Sequence, residues 1–338
     1  MSTTRKPRVL LTNDDGPPDA KESPYVLGLY LHLTKHLGWD VKVVLPSSQK
    51  SWIGKAYHIK ELTKGKYFYP RLDGTGETAL FARPLKEGEL AEWILLDGTP
   101  ATCANVGLHN LHKDQIDLVI SGPNLGRNTS SAFALSSGTI GAAMSSALSA
   151  TRSIALSYGT VVHPTPQTYF EPAHALGCRI INHLWSNWGQ DECGLRDGEV
   201  DLYSVNIPLI EKILSEDGLT ISWTRMWRNS YGRLFKPTSQ SPSSKNHLVD
   251  PTGTHTSGPS AQEEARAPAD VEIGDLLFKW GPEMKGLITP SPEALPVGSD
   301  GWAIYHGMVS VTPLRASFGE PYHNEPVNAE KIIWKMRL

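Results

Sequence analysis

Five short runs of large aliphatic residues, at 8–12, 41–45, 116–121, 153–157 and 200–207, constrain this chain more than any other feature. Each is too short for a helix and too apolar to have one face in water, so each reads as a strand buried on both sides. Helical spacing fills several of the gaps between them. Ser23-Pro24 opens a helix predicted to run to Gly38, with Val26, Leu27, Tyr30, Leu33 and Leu37 on its apolar face. Thr99-Pro100 opens another through Leu111, and further helices are predicted over 139–149 and 166–187. A Ser or Thr before a Pro start, with a Gly stop, is the usual helix punctuation. Strands alternating with helices predict a mostly parallel sheet covered on both faces.

Two segments depart from that alternation. Residues 57–96 carry aromatic and β-rich pieces broken by Gly and Pro, which predicts hairpins. After residue 208, short alternating pieces at 219–224, 302–304 and 308–313 predict an antiparallel β extension. Between them, residues 237–270 are dense in Ser, Thr, Pro and Gly. Such a stretch buries too little surface to offset its ordering entropy and is expected to be a mobile insertion.

Composition narrows the function classes. A net charge of -3 over 338 residues gives no electrostatic footprint for duplex nucleic acid or an anionic membrane. No apolar run approaches the roughly 20 residues of a spanning helix. Met1–Pro7 has no apolar signal region, so a cytoplasmic location is expected, with the nucleus not excluded. Cys103, Cys178 and Cys193 are too few and too scattered for a disulfide framework or a zinc cluster, and are expected to be buried. The twelve histidines give no His-x-x-x-His pair with a nearby acid that reads as a zinc site.

The chemistry gathers where strands end. The first strand runs into Asn13-Asp14-Asp15-Gly16. Adjacent carboxylates repel, so they need a compensating cation or one neutral partner. Oxygen-only ligands suit magnesium or manganese. An Asp-Gly turn with a capping Asp would produce the same letters without any site. The second strand exits into Ser47–Lys55, whose Ser51 and Lys55 suit a metal or a phosphate, and equally an ordinary solvated loop. The third exits into Gly122, Asn124 and Asn128, ahead of Ser136-Ser137-Gly138-Thr139 at a helix start. Amide groups at a helix N-terminus, beside hydroxyls and a glycine, suit an anion. In open α/β sheets these strand-end loops share one edge. Taken jointly they predict a metal-dependent phosphate site. Tyr25 and Trp52 lie near these loops as candidate platforms for a base, while Trp185, Trp188, Trp223 and Trp227 are expected to pack the core or subunit contacts.

In order along most of the chain, several segments resemble the SurE family of metal-dependent nucleotidases and acid phosphatases. They are Asn13–Gly16, Val43–Pro46 with Ser51, Gly98–Cys103, Asp117–Gly126, Ser137–Ala143 and Val309–Leu314. The segment 57–96 and the insertion 237–270 resemble its fungal branch, which includes acid phosphatases and nucleotidase-like domains joined to a tubulin-tyrosine-ligase-like domain. The resemblance implies a Rossmann-like three-layer α/β sandwich with a C-terminal β-rich extension. It also implies one divalent metal held by Asp14, Asp15, Ser51 and Asn124, and a phosphate held by Ser137, Gly138 and Thr139. Asn13, Gly122, Asn128 and Lys55 are expected to contribute to phosphate binding, and Asp14 or Asp15 to take a proton from water. Bacterial members usually read Ser-Gly-Ala-Ser where this chain has Ser51–Lys55, and a motif tyrosine is Ser136 here.

The expected activity is phosphomonoester hydrolysis on a small phosphorylated molecule such as a nucleoside monophosphate. The rival readings are a nucleotide- or protein-binding scaffold, an aspartyl-phosphate mechanism and a phosphoacceptor domain. The last needs an acid at the third strand exit, where Ser121–Asn124 has none. The family resemblance further implies a single domain that forms a homodimer or homotetramer through residues 271–338.

Overall fold

In chain order the strands and helices are β1 (Arg8–Thr12), α1 (Val26–Leu31), β2 (Asp40–Pro46), β3 (Gly65–Pro70), β4 (Gly76–Ala79), β5 (Trp93–Leu96) and α2 (Pro100–Val106). They continue as β6 (Leu118–Leu125), α3 (Ser130–Ser136), α4 (Gly138–Leu148), β7 (Arg152–Thr160), α5 (Phe170–Ser186) and β8 (Leu202–Leu209). The C-terminal part holds β9 (Ile221–Trp223), β10 (Phe235–Pro237), β11 (Phe278–Trp280), α6 (Asp300–Tyr305) and β12 (Val309–Leu314). This computed structural model describes residues 5–160, 164–238, 276–283, 286 and 290–319. Most of the insertion expected at 237–270, and much of 271–338, lies outside the described residues.

The main sheet has the order β4-β3-β5-β2-β1-β6-β7-β8-β12-β9. From β5 through β8 every neighbouring pair is parallel. Both faces are covered, as the uniformly apolar strands require. Val9 and Leu11 share one core with Val26 and Leu29 of α1 and Ile180 and Ile181 of α5. Leu10, Val44 and Val119 point the other way, onto Cys103 of α2. A mostly parallel, three-layer α/β sandwich is therefore the fold, as the sequence predicts. The order reverses at β1, which has β2 on one side and β6 on the other. Loops leaving these strands diverge and open a crevice at their carboxyl ends.

Local differences from the sequence expectation have identifiable causes. The first helix begins at Val26 rather than at a Ser23 cap, because the Ser23 hydroxyl donates to the Gly16 carbonyl at 2.9 Å. It continues as a π-helical turn, His32–His36, before Gly38 turns the chain with φ +63°. At α2 the capping logic holds: Thr99 accepts from the Thr102 N–H at 3.1 Å. The third central strand continues past Ser121 to Leu125, with its register to β7 shifted between Ser121 and Asn124. Asn124 is thus on a strand end rather than in a free loop.

The C-terminal β elements also differ. β12 pairs antiparallel with β8 and β9 lies parallel to β12, so both extend the main sheet. Residues 302–304 belong to helix α6, not to a strand. Cys103 and Cys178 are buried as expected, but Cys193 is exposed. Trp188 is buried in the core, whereas Trp223 is exposed on β9. No helix among the described residues is long and apolar enough to cross a membrane.

Candidate active site

The cleft opens where β1, β2 and β6 end. Asp14, Ser51, Trp52, Asn124, Asn128, Phe133, Ser136 and Ser137 line it. Three strand exits and one helix start, far apart in sequence, therefore meet at one place.

Each acidic group is fixed from a different element. Asp14 is 5% exposed and Asp15 is 3% exposed. The Thr139 hydroxyl donates to Asp14 Oδ1 at 2.6 Å, and the Leu125 N–H donates to Asp15 Oδ2 at 2.8 Å. Helix α4 and strand β6 thus hold one carboxylate each. The Lys50 N–H donates to the Asp14 carbonyl at 2.7 Å, which ties the β2 exit loop and its Ser51 to the acid loop. Gly138 packs directly on Asp14: a Cβ at that position would lie 2.8 Å from Asp14 Cβ. Only a glycine lets the helix start come this close.

The donors that face the cleft are oxygens of carboxylate, hydroxyl and amide. Asn124 donates through Nδ2 to the Gly126 carbonyl at 2.8 Å, which uses none of its amide oxygen's lone pairs. Asp14, Ser51 and Asn124 line the cleft and Asp15 does not; a carboxylate, a hydroxyl and an amide oxygen fit a hard divalent cation and do not fit a soft one. Ser137 caps α4, its Oγ accepting from the Ile140 N–H at 3.2 Å, and borders the cleft. The positive end of the 11-residue α4 therefore lies beside the acid pair.

Several candidate residues sit elsewhere or do different work. Asn13 is not turned to a ligand: its Oδ1 accepts from the Gly16 N–H and its Nδ2 donates to the Gly16 carbonyl, both at 2.9 Å. It shapes the acid turn, as an Asx residue commonly does. Gly122 lies within β6 at φ +124°, where a Cβ would meet the Leu156 carbonyl at 2.1 Å. Its place is in the β6–β7 packing and not in the cleft lining. The Thr139 hydroxyl is committed to Asp14. Asn128 lines the cleft, its Nδ2 donating to Ser157 Oγ at 2.9 Å. Lys55 lies over the Tyr57 ring at 4.9 Å and borders a separate, more apolar groove. Tyr25 is buried against Tyr158 and Phe170, with ring centroids at 5.0 and 4.9 Å, so it offers no face to a base.

Over the acidic floor lies an aromatic roof. Trp52, in the left-handed region at φ +58°, meets Phe133, Tyr231 and Trp280 with ring centroids at 6.0, 6.2 and 5.0 Å. Phe133 comes from α3, in a segment the sequence presents as a polar loop.

A family model described as survival protein SurE matches residues 9–233, the part that builds the sheet and this cleft. This chain belongs to the SurE family. It is 31% identical to the 5'-nucleotidase SurE of Roseobacter denitrificans, over 91% of this chain and 94% of that protein. It is 33% identical to the 5'-nucleotidase SurE of Ruegeria pomeroyi, over 60% of this chain and 67% of that protein. A yeast protein, the probable tubulin–tyrosine ligase PBY1 of Saccharomyces cerevisiae, is 33% identical over 92% of this chain. The chain spans 41% of that longer protein, in keeping with the fungal branch. The crystal structure of the SurE protein from Aquifex aeolicus shares the fold, with a TM-score of 0.56 at 23% identity over 93% of this chain and 95% of that one.

Besides Phe133, Tyr231 and Trp280, a buried acid beside the SurE cleft has no counterpart among the sequence candidates. Asp300, at the start of α6, is almost fully buried. It accepts N–H bonds from Ser130, Trp227 and Gly301 at 2.8, 2.9 and 2.7 Å. Burial raises its pKa, while those three N–H groups and the Arg127 charge pull the other way. It clamps the start of α3, and so Phe133, to the segment that leads to Tyr231. A usable signal was present: Ser299 caps Trp302, and Gly307 follows the helix with φ +66°.

Proposed function

We propose that this SurE-family chain is a metal-dependent phosphomonoesterase that hydrolyses nucleoside monophosphates, with Asp14, Asp15, Ser51 and Asn124 holding one magnesium or manganese ion. The observation that carries the reading is the cleft itself. Asp14, Ser51 and Asn124 line the same small space as Ser137, the cap of α4. Groups suited to a cation and a helix start suited to an anion border one cleft. The names of the two bacterial relatives, both 5'-nucleotidases, favour the same substrate class.

When bound, the cation supplies the positive charge that draws electrons from phosphorus and acidifies water. The protein's own groups position and exchange protons. Thr139 orients Asp14 by donating to its Oδ1. Leu125 fixes Asp15 from the opposite side. The water oxygen forms a bond to phosphorus as the ester P–O bond breaks, one of the two carboxylates receives the water proton, and that same proton then passes to the leaving alkoxide, restoring the carboxylate. The α4 start, through Ser137 and the backbone N–H groups that follow it, stabilises the charge on the phosphoryl oxygens. Trp52 and Phe133 supply faces for the nucleobase. Residues 271–338 are read as the oligomerisation segment of a single-domain homodimer or homotetramer.

The test is phosphate release from nucleoside monophosphates and from an aryl phosphate, with magnesium or manganese and then with chelator. Metal-dependent turnover is expected. No turnover with any metal would leave a binding scaffold, and turnover indifferent to chelator would remove the cation from the mechanism.

A further inference from the structure

The second turn of the first helical segment carries His32 and His36, and across the helix layer lies Glu171 in the first turn of α5. Ligand atoms of all three side chains lie within 4.8 Å of one another. None of the three lines the cleft. We infer that His32, His36 and Glu171 form a second cation site, of the mixed imidazole–carboxylate kind that takes zinc or a similar transition metal.

The geometry comes from the local fold. His32 and His36 bracket one π-helical turn, closed by the Leu37 N–H on the His32 carbonyl at 3.2 Å. Their rings lie 4.5 Å apart between centroids, at 31°. Side chains four apart on a helix reach the same ion, and π-turns concentrate at functional positions. The third ligand is remote in sequence: Glu171 Oε1 lies 2.9 Å from His32 Nε2. The His32 side chain is 8% exposed, whereas that of Glu171 is 76% exposed. The cluster therefore has one anchored ligand in the protein and two that a cation reaches from solvent.

Behind His32, at 5.7 Å between centroids, lies His174, whose Nδ1 pairs with the Tyr158 hydroxyl at 3.1 Å. Two imidazoles and one carboxylate, with a coordination position open to water, match the donor set of zinc sites of three protein ligands. The oxygen-only cleft selects a hard ion and this cluster a borderline one, so metal identity separates the two sites. The competing account is a simple His32–Glu171 ion pair, which has no use for His36.

The experiment is a cobalt(II) titration of the chelator-stripped full chain, followed by the visible bands of a low-coordinate cobalt ion and repeated with zinc by calorimetry. One equivalent is expected to give these bands, and Asp14→Asn is expected to keep them. His36→Ala and Glu171→Gln, both at exposed positions, are each expected to weaken uptake more than ~10-fold, since even outer-shell changes commonly cost that much. Absence of the bands in the unaltered chain, their loss in Asp14→Asn with wild-type folding by circular dichroism, or unchanged uptake in both His36→Ala and Glu171→Gln would overturn the site.

Discussion

The floor and the roof of the cleft are built in opposite ways. The floor is made of charged and polar groups, each held by a short hydrogen bond: Asp14 by the Thr139 hydroxyl, Asp15 by the Leu125 N–H, the acid turn by Asn13 on the Gly16 N–H. The roof is made of rings meeting edge to face, drawn from the β2 exit, α3, the segment after β9 and β11. Directional bonds fix positions within tenths of an ångström, whereas aromatic contacts tolerate movement. The floor suits chemistry that needs fixed charge. The roof suits a ligand part that varies.

The largest effect should come from the floor. Asp15→Asn is expected to lower kcat by about 10³-fold, the scale of losing several kcal/mol of charge stabilisation. Steady-state phosphate release measures it, and a loss confined to KM would break the division of labour. Next is the layer that supports the floor, where Tyr25, Tyr158 and His174 pack together. Burial, aided by His32, depresses the His174 pKa from 6.5 to about 4. The unfolded chain takes up that proton more readily than the native one. The contribution to stability is therefore full above pH 6.5 and declines as pH falls to about 4, by about 3 kcal/mol. Urea unfolding at pH 7 and pH 4 checks it, and His174→Gln should flatten the dependence.

Smaller effects sharpen the contrast. Thr139→Val keeps the shape of the side chain but removes the 2.6 Å bond to Asp14. Metal affinity should fall about 10-fold with little change in folding, as read by activity against metal concentration. Trp52→Ala should raise KM for a nucleoside monophosphate by roughly fivefold, about 1 kcal/mol of stacking, and leave kcat nearly unchanged. A small alkyl phosphate should show no such change.

The same contrast explains what could be read from sequence. Floor residues follow apolar strands directly, so Asp14, Asp15 and Asn124 carry their position in the local pattern. The sheet itself was legible for the same reason, because strands buried on both faces have few alternatives. The particular bonds were not: nothing local tells that Ser23 serves the acid turn instead of a helix cap, or that the Thr139 hydroxyl serves Asp14 instead of a phosphate. Roof residues are brought together only by tertiary packing, from Trp52 to Trp280. Asp300 was hidden because Trp302-Ala303-Ile304 resembles a strand until the Ser299 cap and the Gly307 stop are weighed. The His32–His36 pair was passed over because its third ligand, Glu171, comes from a helix 139 residues away.

The central claim is that one cation in the floor governs phosphate release. The direct measurement is manganese binding by electron paramagnetic resonance on the chelator-stripped chain, recorded with initial rates of nucleoside monophosphate hydrolysis in the same titration. Both curves should saturate together at one manganese per chain, and Asp14→Asn should lose both. Hydrolysis at full rate before any manganese binds, or in Asp14→Asn, would contradict the account.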